Sequence, residues 1–539
     1  MSSALAWQDH AVIAAYLLGM IALGVHLSRR QKSDEEYFLA GRNMPWFAVG
    51  MSVIASLLSS LTYLSEPAEV WNSGVTNIFG KMLAIPFEMV IVWLFCIPFM
   101  MRFRFTSAYE YLEHRFGPGT RLLGAGLFVA MIVLWMGFVV YVSALALSTV
   151  SGVPIGVVIG TVGVVATIYT MLGGLRAVIW TDVVQVVLLV GGGVFTIAYV
   201  AVVTDTWIPQ WYDAAVARLT ATKPGHHLPL FSFDPTVRVT VVTVAMSMCV
   251  WHVCAHTANQ MTVQRYFSTK DIAAARRSFV TGSLLGVGLN LMLMTVGLAM
   301  LYFYVGQDTA ELPLDPETGK VRYDLIFPSF AVHRLPAGLG GGILAALLAA
   351  AMSSIDSGVN SIATVVSVEW KRHQQRRGRE NAESVGKSHV AGARWITLVA
   401  GLFITVAAFC LKFLPPGWGI IDAMPRTFNA ITAPLGGLFL MGMFMPFVRG
   451  RAAVAGTSCG ILTSILIGYY GQIGWVLHKL GVIADPTPTL SPNWVMPCAM
   501  TVTIASAALF SLFDRSGAKD LAALTWYTRR EKSPLTQPD

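Results

Sequence analysis

Long apolar runs separated by short polar segments repeat along all 539 residues. Runs of about 20 apolar residues, the length that crosses a bilayer core as a helix, are found thirteen times. They lie near 10–28, 45–72, 77–101, 120–149, 154–172, 178–203, 238–264, 278–304, 337–368, 393–413, 422–447, 452–471 and 493–513. Polar positions inside these runs are sparse and gather on single helical faces. The clearest case is 341–368, GGILAALLAAAMSSIDSGVNSIATVVSV. At 3.6 residues per turn Ala350, Ser353, Ser354, Ser357 and Ser361 share one stripe, with Asp356 at its edge. A carboxylate in hydrocarbon is costly, so it faces a water-filled cavity, a partner or an ion. Small neighbours let another helix or an ion approach. The stripe predicts an ion site.

Two spans are predicted to be interrupted. The run 45–72 carries SSLT followed by Glu66, Pro67 and Glu69, and 238–264 carries His252, His256, Asn259 and Gln260. Broken helices at corresponding places in two halves are how transporters build a site near the midplane, with unwound carbonyls free to hold a cation. Five spans run from 45 to 203 and five more from 238 to 447. An odd number per set inverts the second relative to the first, which predicts a 5+5 inverted repeat with one extra helix before it and two after. The chain then divides into an N-terminal extra helix and loop (1–44), core repeat 1 (45–203), an external loop (204–237), core repeat 2 (238–447), two additional helices (448–513) and a tail (514–539).

Composition agrees with a polytopic all-α membrane protein: 55% of residues are hydrophobic and only 12% charged, where soluble domains carry about a quarter. The net charge of +8 does not point to nucleic acid, because the basic residues sit in short loops. Of the 37 Lys and Arg, 27 lie in 28–44, 102–121, 176, 265–277, 371–394, 449–451 and the tail. The positive-inside rule makes that side cytoplasmic, with the N-terminus outside and the C-terminus inside an inner (plasma) membrane. The first span has no preceding Lys or Arg and is followed by SRRQK, the polarity of an uncleaved N-out helix. In the tail, DLAALTWYTRRE reads as an amphipathic helix on the inner membrane surface, anchored by Trp526 and Arg529. Six cysteines without a CxxC imply neither a disulfide frame nor a metal site. No nucleotide-binding loop, HExxH or GxSxG occurs, so an enzyme is not expected. His252 and His256, one turn apart, lack a third ligand for a metal.

Three motifs carry a family resemblance: MPWFAVGMSVIASLLSS on the first core helix, YTMLGGLRAVIWTDVVQ at the turn into the fifth, and AALLAAAMSSIDSGVNS on the eighth. With the span layout they make the chain similar to the sodium/solute symporter family, whose fold is LeuT-type, over nearly its whole length. The resemblance implies a secondary active transporter, with Na⁺-coupled symport of a small polar solute, monocarboxylate-like or sugar-like, by alternating access. It implies a Na⁺ site at Ala55, Leu58, Ala350, Ser353 and Ser354. Relatives resembling sialic acid transporters hold a second sodium, for which Asp182, Ser353, Asp356 and Ser357 are the matching positions; for Asp182 an N-cap or a partner for Arg176 is the alternative reading. Solute-facing positions match Ser59, Thr62, Lys81, Asn259 and Gln260, with Lys81 either meeting a solute carboxylate or snorkelling outward. Where sialic acid transporters place an arginine on the third core helix, this chain has Trp135 and Met136; PAEVW (67–71) also suits the monocarboxylate-like branch. Glu66 and Glu69 are expected to line the outer vestibule. The expected partners are solute, Na⁺ (one ion, or two if the second site is used) and the bilayer, without nucleic acid or an obligate protein partner. A proton-coupled carrier on the same fold, or a transporter-like solute sensor, is the alternative.

Overall fold

The computed structural model describes residues 5–28, 33–222, 230–304, 312–314, 319, 321–376, 387–411, 420–484, 489–514 and 524–528. These residues are helical, apart from turns, loops and one isolated backbone bridge between Leu314 and Val321. The principal helices are α1 (Trp7–Ser28), α2 (Trp46–Leu57), α3 (Ser60–Ser73), α4 (Thr76–Met100), α5 (Pro118–Ser151), α6 (Ile155–Thr204), α7 (Val241–Thr257), α8 (Gln260–Phe267), α9 (Ile272–Tyr304), α10 (Leu339–Arg376), α11 (Lys387–Leu411), α12 (Asn429–Phe444), α13 (Gly450–Gly468) and α14 (Val495–Ser511). Among the described residues nine helices are long and apolar enough to cross a membrane, or eleven when two bent pairs each count as one span.

Those bent pairs are the two interruptions read from the sequence. The chain turns by 63° between α2 and α3, and by 49° between α7 and α8. Both breaks use the same device. The Ser59 side chain accepts from the Leu61 N–H at 3.2 Å, and the Asn259 side chain accepts from the Met261 N–H at 3.0 Å. Each polar side chain caps the second half-helix, satisfying a donor that hydrocarbon would leave bare.

The two spans expected at 154–172 and 178–203 belong to one 50-residue helix, α6, bent at Gly174 (φ 53°, ψ −165°). A side chain is strained in that conformation and glycine is not. Gly174→Ala is therefore expected to cost about 1–3 kcal/mol and to lower the detergent-solubilised melting temperature. Gly191→Ala, on the same helix with open space around its Cβ position, should leave it unchanged or raise it.

Packing is inside-out relative to a soluble protein. Leu18, Leu122, Val202, Phe403 and Leu462 are exposed, as suits a lipid-facing surface and not an aqueous one. The interior uses small residues to bring helices together. A Cβ on Gly163 would lie 2.2 Å from Thr405 Oγ1, and one on Gly401 would lie 2.1 Å from Thr167 Oγ1. These reciprocal Gly/Thr pairs, each spaced by four residues, let α6 and α11 touch. Each threonine donates to the carbonyl of the glycine four residues before it in its own helix, so no hydroxyl is stranded.

One end of the bundle is held by ion pairs. Arg121 pairs with Glu113 (2.5 Å) and Glu369 (2.6 Å); Arg372 pairs with Glu110 (2.8 Å) and Glu113; Lys371 pairs with Asp34. These contacts tie the end of α10 to the short helices Asp34–Leu39 and Glu110–Phe116. Most of the basic stretch beyond it, 377–386, lies outside the described residues. In the tail, residues 524–528 form turns and not the expected amphipathic helix. The Trp526 N–H donates to Met443 O at 2.8 Å, and its ring packs on Phe95 and Phe444. Trp526 therefore docks into protein; Arg529 lies outside the described residues.

Candidate functional site

The stripe on α10 meets the broken helix α2–α3. The last helical bond of α2 runs from the Leu58 N–H to Ile54 O at 2.8 Å, so the carbonyls from Ala55 onward are released. Two of them are met by serines. Ser353 Oγ donates to Ala55 O at 2.9 Å and Ser354 Oγ to Ser56 O at 3.1 Å; both hydroxyls also lie near Ala350 O, at 3.2 and 3.5 Å. Four of the five positions matched to sodium, Ala55, Ala350, Ser353 and Ser354, thus converge directly. Leu58 is at the break, with φ −95° and ψ 87°. All are buried. Carbonyl and hydroxyl oxygens in a dry, preformed cluster are donors suited to replacing the hydration shell of a hard monovalent cation.

One turn along, two buried carboxylates lie near a single guanidinium, which bonds Asp182 directly and reaches Asp356 through Ser357. Asp182 Oδ2 accepts from Ser52 Oγ at 2.5 Å and from Arg265 Nη2 at 3.0 Å. Arg265, 1% exposed, also donates to Ser52 Oγ (2.6 Å), Met261 O (2.7 Å) and Ser357 Oγ (2.5 Å). Asp356 accepts from the Tyr169 hydroxyl at 2.8 Å and from Ser357 Oγ at 3.2 Å. Arg176, the alternative partner for Asp182, instead donates to Ala40 O at 3.2 Å. Asp182 is not an N-cap either, since it lies inside α6 beyond the Gly174 bend. Two carboxylates against one guanidinium leave one negative charge uncompensated when both are ionised, and a low-dielectric interior does not tolerate that.

Beside the break lies a cavity of about 140 Å³. Ser59, Thr62 and Lys81 line it, as do Glu88, Trp135, Trp251, His252, His256, Asn290, Phe428 and Asn429. Trp135 stacks on Phe428 (5.3 Å, 10°) and the Trp251 indole donates to Asn429 Oδ1 at 3.1 Å. Lys81 is neither free nor snorkelled outward: it pairs with Glu66, which Asn77 also meets at 3.2 Å. Glu69 takes a two-pronged pair from Arg238 at 2.8 and 2.9 Å. Both glutamates are buried ion-pair partners, not free groups of a vestibule. Asn259 and Gln260 do not line the cavity. Asn259 is the α8 cap, and Gln260 clamps the 106–108 segment through Thr106 O (2.9 Å) and the Ala108 N–H (2.8 Å).

Comparison with known proteins bears directly on this geometry. The family model described as "Sodium:solute symporter family" matches residues 37–460. The chain belongs to the sodium:solute symporter family. It is 33% identical over 489 residues to a sodium/sialic acid symporter of Proteus mirabilis, covering 91% of this chain and 95% of that protein. It is 31% identical over 484 residues to sodium-coupled monocarboxylate transporter 1 of Xenopus laevis, covering 86% of this chain and 72% of that one. A solved Na⁺-coupled sialic acid symporter, substrate-bound and outward-open, superposes with TM-score 0.78 at 28% identity over 95% of this chain and 99% of that one.

The protein is thus a sodium-coupled solute symporter, a multi-pass membrane protein whose sodium is cargo and not a resident cofactor. Several residues at this symporter's polar centre stand outside the sites read from the sequence. Arg265 falls with the loop charges in the sequence, but the run QRYF continues α8 and carries it into the core. Ser52 and Ser56 lie in an apolar run, one turn apart on α2, with Ser56 Oγ donating to Ser52 O. Glu88 lies within the run 77–101, where its isolated carboxylate is the available signal.

Proposed function

We propose that this symporter carries a small monocarboxylate-like solute, with Na⁺ held between the broken helix and α10 by Ala55, Leu58, Ala350, Ser353 and Ser354. The lining of the cavity carries this reading. Trp135 and Phe428 supply an apolar wall at the level where the sialic acid branch carries an arginine. Lys81, with Ser59, Thr62 and Asn429, supplies the polar groups for a carboxylate, which competes with Glu66 for the ammonium.

Coupling follows from the broken helix. The Ala55 and Ser56 carbonyls meet the serines of α10, while Val53, Ile54, Leu57 and Ser59 line the cavity. An ion that fixes the first set fixes the second, so ion and solute stabilise one shared conformation. Each Na⁺ that enters down 100 mV contributes about 2.3 kcal/mol of electrical work. A second cation beside Asp182, Ser353, Asp356 and Ser357 would neutralise the surplus carboxylate charge. The thirteen-span layout with a 5+5 repeat follows if the Gly174 bend divides α6 into two spans and α12 counts as one. The basic loops then place the N-terminus outside and the ionic cluster of Arg121, Glu113, Glu369 and Arg372 at a cytoplasmic gate.

The test is solute competition for the purified protein at fixed Na⁺, read as ligand-induced thermal stabilisation. Short monocarboxylates are expected to stabilise it, and sialic acid and neutral hexoses to leave it unchanged. Stabilisation by sialic acid alone would overturn the solute class while leaving the symporter assignment intact.

A further inference from the structure

The two histidines that lack a third metal ligand in the sequence acquire one in the fold. Glu88, from the middle of α4, meets both of them where they lie one turn apart on α7. His252 Nδ1 is 3.3 Å from Glu88 Oε2, and His256 Nε2 is 3.8 Å from Glu88 Oε1. One ligand atom from each of the three falls within 4.8 Å of the other two. We propose that Glu88, His252 and His256 form a binding site for a divalent transition-metal ion of the zinc class in the wall of the solute cavity.

Geometry and chemistry agree on this assignment. Zinc bonds of about 2.0–2.2 Å to nitrogen and oxygen put tetrahedral ligands roughly 3.3 Å apart, so rotamer adjustments of these side chains close the site. The two imidazole rings already lie nearly parallel, 9° apart, and face the same carboxylate. Metal-binding histidines use the second ring nitrogen to fix their orientation. The hydroxyl of Tyr266, on the far side of the α7–α8 break, stands 2.6 Å from His256 Nδ1. With the proton on Nδ1, donated to Tyr266, the Nε2 lone pair points to Glu88.

The surroundings suit an ion as well. Trp251 packs edge-on against His252 and Phe279 against His256, giving the site apolar walls. His252 Nδ1 is buried without a hydrogen bond of its own. Lys81, the neighbouring cation on the same cavity, is already neutralised by Glu66. All three ligands line the cavity. Three protein ligands leave a fourth position for water or a solute oxygen. The site is separate from the serine–carbonyl cluster, and the metal assignment does not depend on the identity of the solute.

The experiment is zinc titration of the purified full-length protein against a chromogenic chelator, with Co²⁺ absorption as the spectroscopic readout. Wild type is compared with His252→Asn, with His256→Asn, and with the triple variant Glu88→Gln/His252→Asn/His256→Asn. His252→Asn is the gentlest change, since that side chain is part-exposed. Unchanged metal-free melting and size-exclusion profiles certify its fold. The chain has 11 histidines, so the triple variant defines background binding. The expected result is one additional Zn²⁺ in wild type, with affinity at least tenfold weaker in each single variant. Tyr266→Phe should weaken it by about 10–100-fold, and Co²⁺ should give tetrahedral d–d bands that vanish in the triple variant. Equal binding by wild type and His252→Asn, or Co²⁺ spectra that do not differ between wild type and the triple variant, would overturn the proposal. The three side chains would then be a hydrogen-bonded cluster alone.

Discussion

Ser354→Ala is expected to raise the Na⁺ concentration for half-maximal transport by roughly ten- to a hundredfold. A hydrogen-bonding or ligating contact to a charged group contributes about 1.5–3 kcal/mol, and Ser354 Oγ is one of two hydroxyls facing the released carbonyls of α2. Its methyl replacement is small enough to leave the helix packed. The fold should survive because Ser354 is held only by Ser56 O and Ala350 O, and alanine suits a helix interior. Ser353→Ala should act similarly through Ala55 O, and the double variant should lose measurable sodium dependence. Uptake measured across a Na⁺ series checks this. Half-saturation unchanged in both single variants would remove the serine–carbonyl cluster from the ion's path.

The second large effect concerns charge. Arg265→Met is expected to destabilise the protein by about 3–5 kcal/mol, the cost of breaking a buried ion pair by removing one partner. Asp182 and Asp356 would then share the core with no counter-charge. Removing a carboxylate as well should restore much of the loss, so Arg265→Met/Asp182→Asn should melt well above Arg265→Met alone. Equal melting of the single and double variants would show that the pair is not coupled. Asp356→Asn makes the complementary test. If the surplus negative charge holds a second cation, the charge moved per solute falls in this variant; an unaltered ratio leaves Asp356 neutral or structural.

Much of this architecture was legible because membrane burial simplifies the code. Spans announce themselves by length, and the two breaks by polar residues that hydrocarbon forbids without a reason. The stripe Ala350–Ser353–Ser354–Ser357 was legible for the same reason, whereas its meeting with the helix carrying Ala55 followed only from the family resemblance. Other features were not. Ser59 and Asn259 match solute-facing positions of the family, but a polar side chain at a break reads alike whether it caps a helix or faces a cavity; Ser59 does both and Asn259 only the first. Lys81 and Glu66 are 15 residues apart, on different helices, so their pairing is a property of packing. Arg265 is the sharpest case. A basic residue near a span's end counts as a loop charge by composition, and only the 49° bend after His256 carries it inward to Asp182. The same bend brings Tyr266 to His256, and no spacing rule reports that α4 would supply Glu88.

The most direct measurement is solute-evoked current across proteoliposomes containing the pure protein, recorded in Na⁺ and then in choline. Wild type is expected to give inward current with a short monocarboxylate in Na⁺ and none in choline, with the Na⁺ requirement shifted upward in Ser354→Ala. Current that persists in choline and follows pH would contradict sodium coupling through the broken helix and α10, and would make the buried carboxylates a proton path.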